Sequence, residues 1–493
     1  MGDFILVSID LLSGLFILLV GLGVLFLIYM YIVDVSQHKQ AIRHNYPIIG
    51  RFRYLFEKQG EFFRQYFFAM DREEMPFNRA ERSWVYKAAK NVDRTIAFGS
   101  SRSLDPTGTI MFMNCAFPTL AEDAVSPAPI TIGAQCRHPY TTSSIFNISG
   151  MSYGAISKPA VRALSKGASQ AGCWMNTGEG GLSSYHLEGK ADIVFQIGTA
   201  KYGVRNESGN LSEEKLKAVA AHPAVKMFEI KISQGAKPGK GGILPGKKVT
   251  AEVAQIRGIP QGQDSISPNG HKDIRTVSDL LDRIAFIREV TGKPVGFKAV
   301  FGSMNWFEQL LLEIERRGAE SAPDFITIDS ADGGTGAAPQ PLMDYVGLPL
   351  KESLPMVASM LEERQLKDRI KIIASGKLIT PSKVAWAIAL GADFVVSARG
   401  YMFALGCIQA LQCNKDTCPT GITTHNKRLQ QGLNVEDKTQ RVANYNKYIH
   451  YGIGLIAHSC GLTNVRELNK SHIRIVTENG LSVALEKLYE NHF

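Results

Sequence analysis

The chain begins with a continuous apolar stretch and then changes to a mixed pattern of hydrophobic and polar positions. Residues 11–33 carry no charged side chain and consist mostly of Leu, Ile, Val, Gly and Phe. As a helix this stretch reaches about 35 Å, which exceeds the bilayer hydrocarbon thickness of about 30 Å. Buried helices of soluble proteins rarely contain such long apolar runs. The pattern therefore predicts a transmembrane anchor over residues 1–34.

The residues that flank the apolar run predict its orientation. Asp3 and Asp10 are the only charged residues before the run, so a cleaved signal peptide, which begins with positive charge, is disfavoured. Lys and Arg beside a membrane span are usually retained in the cytoplasm. We therefore expect a single-pass membrane protein whose main body is cytoplasmic. The basic residues after the run are Lys39, Arg43, Arg51, Arg53, Lys58 and Arg64.

From about residue 140, short apolar runs alternate with longer amphipathic segments. Val- and Ile-rich runs without polar alternation are typical of strands buried on both faces, as in a parallel sheet. Eight runs separated by helix-length segments predict a (β/α)8 TIM barrel over residues 140–440, rather than a doubly wound sheet. The runs are 145–149, 173–176, 193–197, 227–232, 295–300, 325–329, 370–374 and 394–397.

The segments between the runs predict helices, and the flanking regions predict attachments to the barrel. Thr380 and Pro381 form an N-cap followed by proline at the first helical position. Residues 35–139 are polar, aromatic and basic with little periodicity, and predict a juxtamembrane segment and an extended arm. Residues 441–493 predict a C-terminal helical extension. The barrel helices are predicted at 158–171, 212–220, 277–290, 306–317 and 382–390.

Composition narrows the class of protein. The 493 residues are 45% hydrophobic and 20% charged, which excludes a disordered chain, and seven cysteines are too few for a disulfide scaffold. The net charge of +9 suggests an anionic partner. Part of this charge lies beside the predicted span, where it favours an anionic leaflet, and no basic run interleaved with aromatic residues follows. We therefore expect a membrane partner and no nucleic acid.

Glycine-rich segments follow four of the predicted strands. Glycine allows the backbone to approach a ligand closely and to present N–H groups to phosphate. A single such loop is more often a tight turn, but four at one barrel end indicate a phosphorylated cofactor. The chain contains neither a P-loop nor a dinucleotide-binding G-x-G-x-x-G motif opening a helix. The four segments are 150–154, 176–181, 332–336 and 375–376.

Two lysines lie inside predicted strands, where an unpaired charge is unfavourable. Lys231 belongs to the fourth strand and Lys298 to the fifth. One interpretation is a structural ion pair with Glu229 or Asp329. The other is contact with an anion or a flavin at the top of the barrel.

Three cysteines followed by a proline form the sharpest local motif. Cys407, Cys413 and Cys418 are spaced by five and four residues, and Pro419 follows at once. Closely spaced cysteines in a cytoplasmic domain favour metal over disulfide, and a Cys-Pro ending is frequent in iron–sulfur loops. Three thiolates are suited to a 3Fe–4S cluster, or to a 4Fe–4S cluster with one non-cysteine ligand. Zinc and no metal remain alternatives. The scattered cysteines, predicted to be buried packing residues, are Cys115, Cys136, Cys173 and Cys460.

Taken together, the motifs resemble the synthase domain of glutamate synthase over residues 140–430. The resemblance implies an oxidoreductase acting on CH–NH2 donors, in which FMN bound to the barrel receives electrons from a 3Fe–4S cluster. Reduced FMN then reduces 2-iminoglutarate, formed from 2-oxoglutarate and ammonia, to L-glutamate. The motifs that carry the resemblance are 176–181, Lys231 with 237–239, Ser267-Pro268 with 271–274, 332–336 and the cysteine triplet.

The resemblance also assigns residues. It implies that Glu179 and Lys231 are catalytic, that Lys231, Lys237 and Arg257 bind the oxo-acid, and that the three cysteines ligate the cluster. Fixed cations suit a dicarboxylate, and Arg engages a carboxylate through two N–H donors. The FMN-binding residues implied are Ser152, Lys298, Gly333, Gly334, Gly376, Ala398, Arg399 and Gly400.

Two departures from the family leave the reaction open. Lys240 and Ile243 stand where the family usually has Glu and Gln, and that Gln is expected to contact the oxo-acid. We also expect no glutaminase domain, so the amine would be free ammonia, another amine or a partner's product. Electrons would come from ferredoxin or a separate reductase. The alternatives are an N-substituted glutamate synthase, a flavin oxidoreductase with another acceptor, and a non-catalytic redox or scaffold protein.

Overall fold

The computed structural model describes residues 2–490, which form two compact units, residues 2–80 and residues 81–490. Met1 and residues 491–493, at the ends of the predicted anchor and C-terminal extension, lie outside the described residues. Among the described residues, the strands in chain order are β1 (Ile110–Phe112), β2 (Ile130–Ile132), β3 (Tyr140–Thr142), β4 (Phe146–Ile148), β5 (Met175–Asn176), β6 (Ile193–Ile197), β7 (Val225–Lys231), β8 (Ile243–Leu244), β9 (Ser265–Ile266), β10 (Val295–Ala299), β11 (Phe325–Asp329), β12 (Lys371–Ser375), β13 (Phe394–Ser397), β14 (Ile473–Val476) and β15 (Ser482–Ala484).

The helices extend over both units. In chain order they are α1 (Gly2–Ser36), α2 (Ala41–Asn45), α3 (Gly50–Phe63), α4 (Arg79–Ala89), α5 (Lys158–Ala171), α6 (Ser184–Leu187), α7 (Glu213–Ala220), α8 (Ala251–Arg257), α9 (Val277–Thr291), α10 (Asn305–Arg317), α11 (Gln340–Tyr345), α12 (Leu350–Glu363), α13 (Pro381–Ala389), α14 (Arg399–Leu405), α15 (Lys427–Gln430), α16 (Val435–Ser459) and α17 (Leu485–Glu490).

Eight parallel strands close into a barrel. Their order is β4-β5-β6-β7-β10-β11-β12-β13, and β13 pairs with β4 to complete the ring. Each of the eight runs predicted from the sequence contributes one of these strands, so the predicted (β/α)8 barrel is confirmed. The least regular one is β5, which has two residues because its run is short and contains the polar Asn176.

The amino-terminal end of the barrel is closed by an apolar plug. The antiparallel hairpin β2–β3 contributes Ile132 and Tyr140, which pack with Trp174 and Phe394 in one buried cluster. The remaining members lie within the first three residues of five barrel strands and are Val194, Met227, Phe325, Ile373 and Val396. Functional groups of this fold gather at the opposite, carboxyl end, whereas the plugged end serves stability. The plug therefore leaves the carboxyl ends of the strands as the place to look for a site.

Local sequence signals explain where the barrel helices begin and end. Ser157 accepts a hydrogen bond from the Ala160 N–H at the start of α5, and Gly172 ends that helix in the left-handed conformation. Helix α13 begins at Pro381 as predicted. Thr380 occupies its N-cap position, but its side chain accepts no capping hydrogen bond.

The flanking regions contain more regular structure than the sequence suggested. The predicted arm, residues 35–139, includes α2, α3 and α4, and its strand β1 pairs with β14. The predicted helical extension, residues 441–493, contains most of α16 and then β14, β15 and α17. Helix α1 covers the residues of the predicted anchor: its apolar side chains are exposed, and by length and composition alone it is a candidate membrane span.

Candidate active site

Two adjoining cavities lie at the carboxyl ends of the barrel strands. The larger contains about 1040 Å³ of space free of protein atoms and the smaller about 540 Å³. Lys231, Gly334, Ala398 and Arg399 line both. Most of the residues that the sequence singled out therefore meet in one place, although they are separated by up to 261 positions along the chain (152 to 413).

The larger cavity contains a cluster of cations around one carboxylate. Lys231 Nζ at the end of β7 lies 3.0 Å from Glu179 Oε2, on the turn that follows β5. Lys237 and Arg257 line the same cavity and are buried. Glu179 is the carboxylate that stabilises the charged forms of both Lys237 and Arg257. With every side chain ionised, the cluster carries three positive charges and one negative charge.

Burial and mutual repulsion decide the protonation of these groups. Burial alone would raise the pKa of Glu179, but the charges of Lys231 and Lys237 outweigh it, so the pKa is lowered and the carboxylate is ionised. Burial, assisted by the neighbouring Lys231 charge, lowers the pKa of Lys237 to about 8. Lys237 is thus the cation whose charge changes nearest to neutral pH.

The Arg257 guanidinium is poorly satisfied by the protein. Its nitrogens donate at long distances to Ser265 Oγ (3.4 Å), Ser152 Oγ (3.5 Å) and the Tyr153 carbonyl (3.3 Å). Its Nε atom is buried without a hydrogen-bond partner. A buried, unpaired donor on a charged group is costly, and a carboxylate is the acceptor that matches the fork of an arginine.

Sequence reasoning missed two glutamines in this region. Gln234 accepts a hydrogen bond from Lys231 Nζ, and Gln196 donates to the buried Glu229 at 2.6 Å; both glutamines line the two cavities. Gln234 follows Lys231, the last residue of β7, by three residues. Its position within the Lys231 motif could therefore have identified it as a site residue. Glu229 also accepts from Asn176 and Thr327, so neutral donors on three other barrel strands satisfy it, which nothing in the local sequence indicates.

The smaller cavity is lined by residues at the carboxyl ends of seven barrel strands, including the seventh and the eighth. It is lined by Gly376 and Lys377 after β12, and by Ala398 and Arg399 at the start of the short helix α14. Gly376 has φ +129°, and a Cβ there would lie 2.3 Å from the Ser330 Cβ, so glycine is required. These two loops and a short helix N-terminus are where TIM barrels frequently bind phosphate.

The lysine predicted in the fifth strand forms the structural ion pair that was one of its two interpretations. Lys298 Nζ lies 3.2 Å from Asp329 Oδ2, and Lys298 also lines the smaller cavity. Asp329 in turn accepts from the Gly235 N–H at 2.8 Å. The pair therefore leaves Lys298 facing the cavity with its charge compensated.

Two predicted glycines lie outside the walls of both cavities. Gly333 lies beside the lining residue Gly334. Gly400 is buried in α14, where a Cβ would come within 2.2 Å of the Tyr445 hydroxyl, so its small size allows α14 to pack on α16. The Gly400 N–H donates to Ser397 Oγ at 3.3 Å.

The three predicted cysteine ligands lie on the loop between α14 and α15. Burial raises the pKa of the Cys407 thiol, and the proximity of Cys413 and Cys418 adds to that rise. Cys413 lines the larger cavity, and its Sγ accepts from Arg399 Nη1 at 3.7 Å. Within residues 2–490, no three Cys, His, Asp or Glu groups converge as they would around a single metal ion. In a cluster, by contrast, each thiolate binds its own iron.

A buried lysine that sequence reasoning missed joins the cysteine loop to the barrel. Lys248 Nζ donates to the carbonyls of Ala155 (3.0 Å), Cys413 (3.2 Å) and Thr423 (2.7 Å). The adjacent Lys247 is exposed and donates to the Lys415 carbonyl. Nothing in the sequence distinguishes these two neighbours.

The two positions that depart from the family differ in location. Ile243, on β8, lines the larger cavity and is 49% exposed. Its cross-strand partner Ile266, on β9, is 66% exposed. Lys240 is exposed and does not line either cavity. Only Ile243 is therefore in a position to act directly on a ligand.

Comparison with known proteins agrees with this architecture. The sequence model described as the conserved region in glutamate synthase matches residues 112–463, more than half of the chain. The glutamate synthase large subunit-like protein YerD of Bacillus subtilis is 38% identical over 509 residues, which cover 95% of this chain and 96% of that protein. The chain belongs to the glutamate synthase family.

Other relatives of this glutamate synthase family member are longer. The archaeal-type glutamate synthase (NADPH) of Dehalococcoides mccartyi is 35% identical over 342 residues, covering 69% of this chain and 64% of that protein. The archaeal glutamate synthase (NADPH) of Methanocaldococcus jannaschii is 37% identical over 330 residues, covering 66% and 61%. The chain thus spans about three fifths of these relatives.

A solved structure is also similar, at a much greater distance. A flavocytochrome b2 variant with benzoylformate aligns over 84% of each chain at 13% identity, with a TM-score of 0.46. The fold of this chain rests instead on its own strand order. The relatives named glutamate synthase are oxidoreductases that act on amino donors, which confirms the enzyme class predicted from the sequence.

Proposed function

We propose that this chain is an FMN- and iron–sulfur-dependent oxidoreductase that converts 2-oxoglutarate and ammonia into L-glutamate. One observation carries the proposal: the buried Lys237 and Arg257 and the half-buried Lys231 lie around a single carboxylate at the carboxyl end of the barrel. The excess of two positive charges matches the two carboxylates of an oxo-diacid. The relatives named glutamate synthase support the same reaction.

Different side chains of the cluster would bind different parts of the substrate. Arg257, whose Nε lacks a partner, would hold one carboxylate of the oxo-acid through its fork. Lys231 and Lys237 would hold the other carboxylate and orient the carbonyl carbon towards the barrel axis. Glu179, ionised and paired with Lys231, would stabilise the positive charge of the iminium formed when ammonia condenses. Fixing charges before the reaction is the main electrostatic contribution available to a protein.

The smaller cavity fits an FMN phosphate by the chemistry of its donors. Arg399 donates to the Thr335 carbonyl and to Cys413 Sγ and forms no ion pair with a carboxylate among residues 2–490, so its charge is available to an anionic ligand. Ser152, Gly334 and Gly376 would border the cofactor, as the sequence predicted. When bound and reduced, FMN would supply a hydride to the imine carbon of the substrate. The protein's part is to position the substrate and complement its charge.

The cysteine loop suits an iron–sulfur cluster. Cys407, Cys413 and Cys418 would hold it, and it would supply electrons singly to the flavin. Cys413 lines the larger cavity, so that such a cluster would lie near the proposed FMN site. We infer that the electrons originate in ferredoxin or a separate reductase, and that α1 anchors the enzyme with its catalytic body in the cytoplasm.

The proposal is tested with protein purified anaerobically. We expect flavin absorbance near 450 nm with a broad iron–sulfur shoulder, features that such cofactors produce. Adding 2-oxoglutarate and ammonia to the chemically reduced enzyme should reoxidise the flavin and yield glutamate. A colourless protein, or reoxidation no faster than the blank without ammonia, would contradict the proposal.

The affinity for 2-oxoglutarate is expected to fall as the pH rises above about 8. The pKa of Lys237 is lowered to about 8, so the positive charge of this side chain is lost above that pH. Binding then requires uptake of one proton, which weakens affinity by up to about tenfold per pH unit. Calorimetric titration of the oxidised holoenzyme from pH 7 to pH 10 measures this. Because arginine stays charged, the Lys237→Arg variant should show a flat profile, whereas a slope equal to the wild type would contradict the assignment.

A second reaction is favoured by the apolar mouth of the larger cavity. Ile243 lines this cavity with an exposed aliphatic side chain, and its cross-strand partner Ile266, which is also exposed, lies next to it without lining the cavity. An aliphatic wall suits an alkylamine, or an oxo-acid with an apolar group, better than it suits ammonia and 2-oxoglutarate alone. The second candidate is therefore an N-substituted glutamate synthase.

Replacing Ile243 with glutamine distinguishes the two candidates. If ammonia and 2-oxoglutarate are the natural substrates, we expect the Ile243→Gln variant to raise glutamate output at limiting 2-oxoglutarate by about tenfold or more, since one hydrogen bond to a charged group contributes about 1.5–3 kcal/mol and 1.4 kcal/mol corresponds to about tenfold. If an alkylamine is the natural substrate, the same variant should lower the rate with methylamine. Product analysis by mass spectrometry measures both rates. The Lys240→Glu variant, at the exposed position, is the control and should leave both rates nearly unchanged.

A further inference from the structure

In the N-terminal unit, helix α3 and the turn that follows it carry a stripe of exposed, mostly aromatic side chains. Helix α3 continues into a π-helical turn, Arg64–Phe68. Apolar side chains recur there at spacings of three and four residues, which place them on one side of a helix. Their exposed fractions lie between 41% and 67%. The stripe consists of Phe52, Leu55, Phe56, Phe62, Phe63, Tyr66 and Phe67.

Ring contacts show that the members of the stripe share one face. The ring centroids of Phe52 and Phe56 are 6.3 Å apart, those of Phe62 and Tyr66 are 4.8 Å apart, and Phe63 lies 5.6 Å from Phe67. These are contacts among neighbours on one helix, and they leave the outer side of every ring uncovered. So large a contiguous apolar surface usually marks an interaction site.

The stripe is joined to the end of the apolar helix α1 by a buried ion cluster. The Asp34 carboxylate in the last turn of α1 pairs with Arg43 at 2.6 Å and with Arg51, in the first turn of α3, at 2.8 Å. It also accepts from the Ile48 N–H at 3.0 Å, and its side chain is fully buried. This cluster fixes the direction in which α3 leaves α1, all within residues 2–80.

The charges beside the stripe are those expected at an anionic surface. Residues 37–68 contain six Lys and Arg against two Glu. Basic residues on the polar side and aromatic residues on the apolar side characterise helices that lie in the interface plane of a membrane. Aromatic side chains prefer the headgroup level, and each nearby Lys or Arg adds about 1 kcal/mol of attraction to an anionic leaflet.

We propose that α3 and the π-helical turn lie flat in the cytoplasmic surface of an anionic bilayer, with the aromatic stripe inserted beside the end of α1. The inference rests on the proposed membrane anchor and goes beyond it, because it assigns a second, in-plane contact. A lipid surface is favoured over a second copy of the chain. Pairing two stripes would bring their basic margins together, whereas lipid phosphates neutralise them. The contact would hold the N-terminal unit in one orientation on the membrane.

The test uses the full-length, flavin-loaded protein in vesicles of phosphatidylcholine and phosphatidylglycerol, with ordinary or brominated acyl chains. The Phe56→Trp variant reports on the stripe. The Glu61→Trp variant, at an exposed position five residues along and on the side of α3 opposite the stripe, is the matched control. Emission from the four native tryptophans is subtracted by using the wild-type protein. We expect brominated chains to quench the added Phe56→Trp emission several-fold more than the added Glu61→Trp emission.

The possible results distinguish failure of the in-plane contact of the stripe from failure of the membrane anchor. Equal quenching of the two variants in protein that floats with the vesicles would overturn the inference while leaving the anchor intact. Flotation failure of the wild type would overturn the anchor, and the inference with it. Unquenched, blue-shifted Phe56→Trp emission together with a dimer by native mass spectrometry would show that a second copy covers the stripe, which also overturns the inference.

Discussion

Replacing Lys231 with methionine is expected to raise the KM for 2-oxoglutarate by about 100-fold. Lys231 Nζ lies at the end of β7, 3.0 Å from Glu179, and faces the larger cavity. Removing one partner of a desolvated, hydrogen-bonded charge pair costs about 2–5 kcal/mol, and every 1.4 kcal/mol corresponds to about tenfold. The flavin content should stay unchanged, because the phosphate would be held by the loops after β12 and β13.

The measurement is the rate at which the reduced enzyme is reoxidised as the 2-oxoglutarate concentration is varied. Lys226→Met is the matched control: Lys226 lies on the same strand at its amino-terminal end, 3.6 Å from Asp192, with a 37% exposed side chain. We expect it to leave KM within about twofold, as surface ion pairs contribute little. An equal rise in both variants would indicate a weakened strand, and an unchanged KM in Lys231→Met would refute the substrate-binding role.

Replacing Cys413 with serine is expected to remove the iron–sulfur cluster and to abolish reduction of the flavin by a protein electron donor. Serine keeps the size of the side chain and loses the thiolate that iron–sulfur clusters require. The Cys413 Sγ accepts a hydrogen bond from Arg399, which lines both cavities. The contacts changed by the substitution therefore lie within the site. Dithionite, a small reductant, should still reduce the flavin of this variant directly.

Iron and sulfide analysis, together with flavin absorbance during reduction by ferredoxin and by dithionite, measures both effects. Cys115→Ser is the control, because Cys115 is half-buried and lies outside the loop of the triplet. It should retain its iron. Full iron content in Cys413→Ser would show that the triplet does not bind a cluster, and iron loss in both variants would point to general instability.

The barrel was predictable because strands that are buried on both faces are continuous apolar runs, which can be recognised in the sequence. Each strand is an apolar run, and helices such as α5 carry a serine cap at one end and a glycine at the other. The same logic failed for residues 35–89. There α3 exposes its apolar face, and Gln59 and Gly60 interrupt the repeat, so the helical period was not recognised.

Site residues were predictable only where they belong to a sequence motif whose residue types indicate a chemical role. Glu179, Lys231, Lys237 and Arg257 were named from motifs, and they line one cavity. Lys248 was missed because its sequence neighbour Lys247 looks identical, and the difference lies in three backbone carbonyls from distant segments.

The sequence by itself determined the strand count, the glycine-rich strand ends, the cysteine spacing and the apolar N-terminal helix. These are local properties, since periodicity and composition are read over a few residues at a time. Only the tertiary structure decided which charges meet. Closing the barrel brings Glu179 and Arg257 to one cavity across 78 positions, and burial of Lys237 in that cavity, together with the nearby Lys231 charge, lowers the pKa of Lys237 to about 8. It also decided that Gly400 packs against Tyr445, because close approach depends on where α16 returns to the barrel.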